Sequence, residues 1–111
     1  MAVSVSNLVV DQNSDFSTTV LLQDSSGNPL NLTGYTAVGR IKKYYGSNTF
    51  VTINITFMSP LSSGQIKLSL DKNITKHMDI GRYVYDVKIT DLGNITKKVL
   101  EGIVTVNGGV S

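Results

Sequence analysis

The chain has 111 residues, 10 basic and 8 acidic side chains, a net charge of +2 and no cysteine. The missing cysteine excludes disulfides, thiolate metal sites and cysteine nucleophiles, and the near balance of charge gives no footprint for nucleic acid or a membrane surface. One domain of this length buries roughly 65% of its unfolded surface, enough for a core without covalent staples.

Met1 to Ser6 shows no basic region followed by an apolar core, which predicts no signal peptide. Apolar runs fall well short of the ~18 residues that span a bilayer. Residues 1–7 are small and polar and predict a flexible arm. Leu8 to Val10 predict a first strand, and Asp15 to Gln23 a second with Phe16, Thr18, Val20 and Leu22 on one face. Asp24 to Pro29 is a turn cluster in which Gly27 takes φ > 0 and Pro29 stops pairing. Leu30 and Leu32 then close over the core edge.

Gly34 to Lys43 predicts a third strand, with Ala37, Gly39 and Ile41 opposite Thr36, Val38, Arg40 and Lys42. After the Tyr44–Asn48 loop, Phe50 to Phe57 alternates, with Val51, Ile53, Ile55 and Phe57 inward. Gln65 to Leu70 alternates again, with Ile66, Leu68 and Leu70 inward. Asp71 to Met78 lacks a strand period; Asp71 caps a single helical turn carrying Ile74 and Met78.

Asp79 to Ile89 opens with a turn and continues as a long strand with Tyr83, Tyr85, Val87 and Ile89 inward. Asp79-x-Gly81-x-Tyr83-x-Tyr85 matches the D-x-G-x-Y-x-C pattern of an immunoglobulin-like sixth strand, with Tyr85 in the cysteine position. The pattern predicts that the Tyr83 hydroxyl returns to nearby backbone. Asp91 to Asn94 is a hairpin turn. Ile95 to Val106 is the last strand; its alternation slips between Val99 and Leu100, and Gly102 predicts a bulge or a close backbone approach. Residues 107–111 predict a flexible tail. The expected fold is therefore all-β: an immunoglobulin-like two-sheet sandwich of about seven antiparallel strands with one short helical turn, in a single domain over 8–106.

The chemistry-bearing residues are sparse. His77 is the only histidine, no nucleophile elbow is present, and the carboxylates lie mostly in turns without a D-x-D-x-D spacing. The expectation is a protein that is not an enzyme, with no catalytic residue, cofactor or metal. N-x-T sequons at Asn31, Asn54, Asn73 and Asn94 read as the composition of turns and outward strand faces. If the third, sixth and seventh strands share a sheet, Arg40, Lys42, Arg82 and Lys88 form a basic face broken by Asp86, with Val38 and Val84 as apolar spots. Lys97 or Lys98 joins it, depending on the slip in register. The plain expectation for it is a solvated outer face, and the alternative is a docking face for an acidic partner. Tyr44 and Tyr45 are a second contact candidate, or pack as a loop against the sandwich end.

The order of motifs resembles a recurrent module of tailed bacteriophages, small β-sandwiches similar to the N-terminal domain of the baseplate upper protein. The matching stretches are Asp24 to Gly34, Arg40-Ile41-Lys42-Lys43, Asp79 to Val87, Asp91 to Asn94 and Gly102 to Val106, within roughly residues 7–106. The resemblance implies a tail- or baseplate-associated virion protein, made in the bacterial host cytoplasm and working by protein–protein contact without catalytic residues. Baseplate upper proteins carry the module at the front of a longer chain. This chain ends at Ser111, so the expectation is a stand-alone module. Its expected partners are other virion proteins and further copies of itself, met through a sheet face or an edge strand. The competing expectation is a carbohydrate-binding sandwich, with Tyr35, Tyr44 and Tyr45 in place of the usual tryptophan platform.

Overall fold

The computed structural model describes residues 4–44 and 46–108. Eight strands follow in order: β1 (Ser4–Val5), β2 (Leu8–Asp11), β3 (Phe16–Leu21), β4 (Thr36–Lys42), β5 (Val51–Phe57), β6 (Gln65–Leu70), β7 (Gly81–Thr90) and β8 (Thr96–Asn107). A 3₁₀ turn covers Leu61–Ser63, and helix α1 covers Lys72–Thr75. The strands run in the spatial order β1-β8-β7-β4-β5-β6-β3, with β2 also on β8.

β5 joins two groups of strands. Val51 to Ile53 pair with β4, and Asn54 to Phe57 pair with β6. The expected pair of separate sheets is thus one continuous hydrogen-bonded path over a single core. The expected count of about seven antiparallel strands is corrected to eight, because β1 and β2 both lie parallel to β8.

The arm predicted over 1–7 is corrected for residues 4–7. Ser4 and Val5 are strand, and residues 6 and 7 are tied down. The Ser6 N–H donates to the Glu101 carbonyl at 2.9 Å, and the Ile103 N–H donates to Asn7 Oδ1 at 3.1 Å. Gly102 makes the approach feasible, since a Cβ there would fall on the Ser6 carbonyl. At the other end, Asn107 belongs to β8 rather than to a tail, and its carbonyl accepts from the Gln12 N–H at 2.9 Å. Residues 1–3 and 109–111 lie outside the described residues.

The turns form as their chemistry dictates. Asp24 Oδ1 accepts from the N–H groups of Ser26 and Asn28 at 2.9 and 3.1 Å, and Gly27 takes φ +85°. Asp71 Oδ1 accepts from the Asn73 N–H at 2.9 Å and caps α1. The Tyr83 hydroxyl donates to the Asp79 carbonyl at 2.8 Å, which is the predicted return to backbone.

Inward residues of both groups of strands fill one core, with Tyr85, Leu22, Leu32, Ile41, Ile66 and Leu100 among its largest fully buried side chains. Leu8 and Val10 of β2 are buried with them. Tyr83 and Val20, expected in the core, are half-buried and pack against its rim.

Candidate interaction face

β4, β7 and β8 lie side by side, so their outward residues fall into rows. Val38 aligns with Lys88 and Lys98, Arg40 with Asp86 and Glu101, Lys42 with Val84 and Ile103, and Arg82 with Thr105. The register shifts after Val87, leaving Val99 as an extra residue on β8. This bulge buries Val99 and Leu100 together and turns Lys98, rather than Lys97, toward Lys88. The slip read from the sequence therefore resolves in favour of Lys98.

The structure brings Arg40, Lys42, Arg82 and Lys88 onto one face as expected, with Asp86 among them. Lys98 Nζ sits 3.8 Å from Asp86 Oδ2 and 3.6 Å from Glu101 Oε2, so both carboxylates share one cation. Among the described residues, no carboxylate oxygen comes within 4.0 Å of Arg40, Lys42, Arg82 or Lys88. Arg40 lies opposite Asp86 in the ladder, yet its guanidinium turns onto the Phe50 ring, 4.4 Å from the centroid. Such a stack neutralises no charge and leaves the cation available. The face thus holds five cations against two carboxylates, a surplus of three, where the whole chain has a surplus of two.

A shallow hollow opens in this face, walled by Val38, Arg40, Lys42, Val84, Asp86 and Lys88. Apolar groups surround it. Val38 and Ile103 are exposed, and Val5 and Val9 extend the apolar surface from the β1 and β2 side, in register with Glu101 and Thr105. Tyr44 is 63% exposed just beyond the end of β4; Tyr45 lies outside the described residues. The sequence reading missed Phe50, Ile103, Val5 and Val9 as parts of this face. Their alternation was legible, but their neighbours come from other strands.

His77 is exposed on the turn after α1. Among the described residues, no three His, Cys, Asp or Glu side chains gather to hold a metal ion. Burial pushes the Tyr85 hydroxyl up to about 12 from an ordinary 10.0, against an opposing contribution from the Ser6 side chain. Burial also raises Tyr83, with the Asp79 charge adding to it.

No family model and no curated protein sequence matches the chain. Solved structures do. The SrpA adhesin of Streptococcus sanguinis aligns with a TM-score of 0.52 at 8% identity, over 96% of this chain and 56% of that one. An internalin-like protein of Listeria monocytogenes aligns at 0.48 and 17% identity, over 95% of this chain and 28% of that one. The filamin domain of Lin-41 aligns at 0.49 and 18% identity, over 91% of this chain and 84% of that one. The chain therefore spans little more than a quarter of the internalin-like protein and about half of the adhesin. The adhesin alignment shows a shared all-β fold and nothing about what either protein binds.

Proposed function

We propose that this chain is a non-enzymatic structural or adaptor module of a bacteriophage particle, of immunoglobulin-like sandwich type, that docks an acidic protein through the outer face of β4, β7 and β8. The observation that carries the reading is the face itself. Arg40, Lys42 and Lys88, three cations with no carboxylate within 4.0 Å among the described residues, line a hollow, with Arg82 on the same face and the exposed Val38 and Ile103 beside it. Interfaces combine apolar contact area with arginine and aromatic groups, and Arg40 stacked on Phe50 supplies both. The particle setting rests on the motif order from Asp24 to Val106. Tyr44 extends the contact at the β4 end. A sugar-binding surface needs open aromatic platforms. Among the described aromatic side chains only Tyr44 and Phe50 are exposed, and Arg40 covers Phe50.

The test is carriage of the chain in purified particles. Reversing Arg82 and Lys88 to glutamate should remove the chain from particles while the isolated protein melts as before, since exposed substitutions usually shift stability by no more than ~0.5 kcal/mol. Recovery of the double mutant in particles at the wild-type level overturns the assignment of the face.

A further inference from the structure

The two N-terminal strands lie on β8, so among the described residues β3 ends the strand path with one side unpaired. The exposed backbone groups can be identified. The Leu22 N–H donates to the Gly64 carbonyl, one step beyond the Leu21–Gln65 pair, so Leu22 turns its backbone toward the β6 side. Antiparallel ladders alternate. Phe16, Thr18 and Val20 therefore point their N–H and C=O groups at β6, while Ser17, Thr19 and Leu21 point theirs at the open edge.

Natural edge strands are usually guarded by charge, proline, a bulge or short length. β3 has none of these guards. It is six residues long, in unbroken register with β6, and carries neither charge nor proline. The other open edges are shorter: β1 and β2 have two and four residues and are separated at Ser6 and Asn7, and β5 divides its length between two neighbours. The inward side chains of β3, Phe16, Thr18 and Val20, are only half-buried, whereas Ile66, Leu68 and Leu70 beside them are buried. The core face continues past the end of the sheet.

We propose that β3 pairs antiparallel with β3 of a second copy about a two-fold axis at Thr19, making one sheet continuous across a dimer. The strand is complementary to itself in that register. Thr19 meets Thr19, Ser17 meets Leu21, Thr18 meets Val20 and Phe16 meets Leu22. At the ends Asp15 meets Gln23, a carboxylate opposite an amide donor, and no like charges face each other. Centring on Thr18 instead sets Asp15 against Leu21, and centring on Val20 sets Phe16 against Asp24. Pairing about Thr19 uses the outward backbone groups of Ser17, Thr19 and Leu21 and covers the exposed flank of Phe16, Thr18 and Val20. It is independent of what the β4–β7–β8 face binds, because β3 belongs to the other group of strands.

Sedimentation equilibrium tests the pairing. The wild-type chain should move from 12.0 kDa toward twice that mass as concentration rises. Ser17→Lys with Leu21→Lys should stay monomeric, since each lysine faces a lysine of the second copy. Ser17→Glu with Leu21→Glu should do the same. Mixing the two variants one to one should restore the dimer. The neighbours of both positions on β6, Ser69 and Gln65, are uncharged, so the substitutions spare the monomer. Thr19→Pro is an independent variant: it removes only an outward N–H, so it should keep the melting curve and weaken the dimer at least ~10-fold. A wild-type chain that stays monomeric to about 1 mM, charged variants that dimerise like wild type, or a mixture that stays monomeric would each overturn the proposal.

Discussion

Tyr85 ties the chain's start to its core. Its ring is buried, and its hydroxyl donates 2.6 Å to the Ser6 carbonyl, 79 residues away in sequence. Because burial raises its pKa to about 12, the folded state favours the neutral phenol. That contribution is complete below pH ~10 and is lost as pH rises toward 12. Thermal melts across that window should show falling stability. Tyr85→Phe should cost about 1 kcal/mol at neutral pH through the lost hydrogen bond, and its melting temperature should fall less steeply between pH 10 and 12. Gly102 serves the same junction by lacking a side chain. Gly102→Ala should cost about 2–3 kcal/mol, and urea unfolding would measure it. The same substitution should increase amide exchange at Ser6, whose N–H bonds to Glu101. Tyr83→Phe should cost a similar amount, about 1 kcal/mol, because its bond to the Asp79 carbonyl is lost.

At the scale of elements, local chemistry was legible and long-range pairing was not. β6 spans the residues that its alternation predicts, and α1 sits behind the Asp71 cap. Asp71→Ala should therefore cost about 1 kcal/mol in chemical denaturation. An effect indistinguishable from zero would place the stability of α1 in the buried Thr75 instead, whose Oγ1 donates to the Ser14 carbonyl. The Val99 bulge was legible because two consecutive buried apolar residues break a period of two. β1 was not, since Ser4 and Val5 carry no pattern of their own. They become strand by pairing with Leu100 and Glu101 of β8, beside the Ser6 backbone that Glu101 and Tyr85 hold. The change of partner within β5 was equally hidden, because Val51 to Phe57 alternate without interruption across it.

At the scale of the molecule, charge is distributed unevenly. The outer face of β4, β7 and β8 carries a surplus of cations, whereas the outer residues of β3, β5 and β6 are serine, threonine, asparagine, glutamine and Leu21 around a single Lys67. Arg40, Lys42, Arg82 and Lys88 were legible as a set once three strands were assumed to share a sheet. Phe50 was not, because its role depends on a side chain ten positions away turning onto it. An exposed cationic face of this kind binds in a salt-dependent way, so release of the chain from its partner should rise with ionic strength.

Lysine-reactive labelling of purified particles, read by mass spectrometry against the free chain, tests the docking face most directly. Lys42 and Lys88 should be protected in the particle, while Lys67, Lys72 and Lys76, exposed away from that face, should label as they do in the free protein. Equal labelling of Lys42 and Lys88 in both samples, or protection confined to Lys67, would contradict the account.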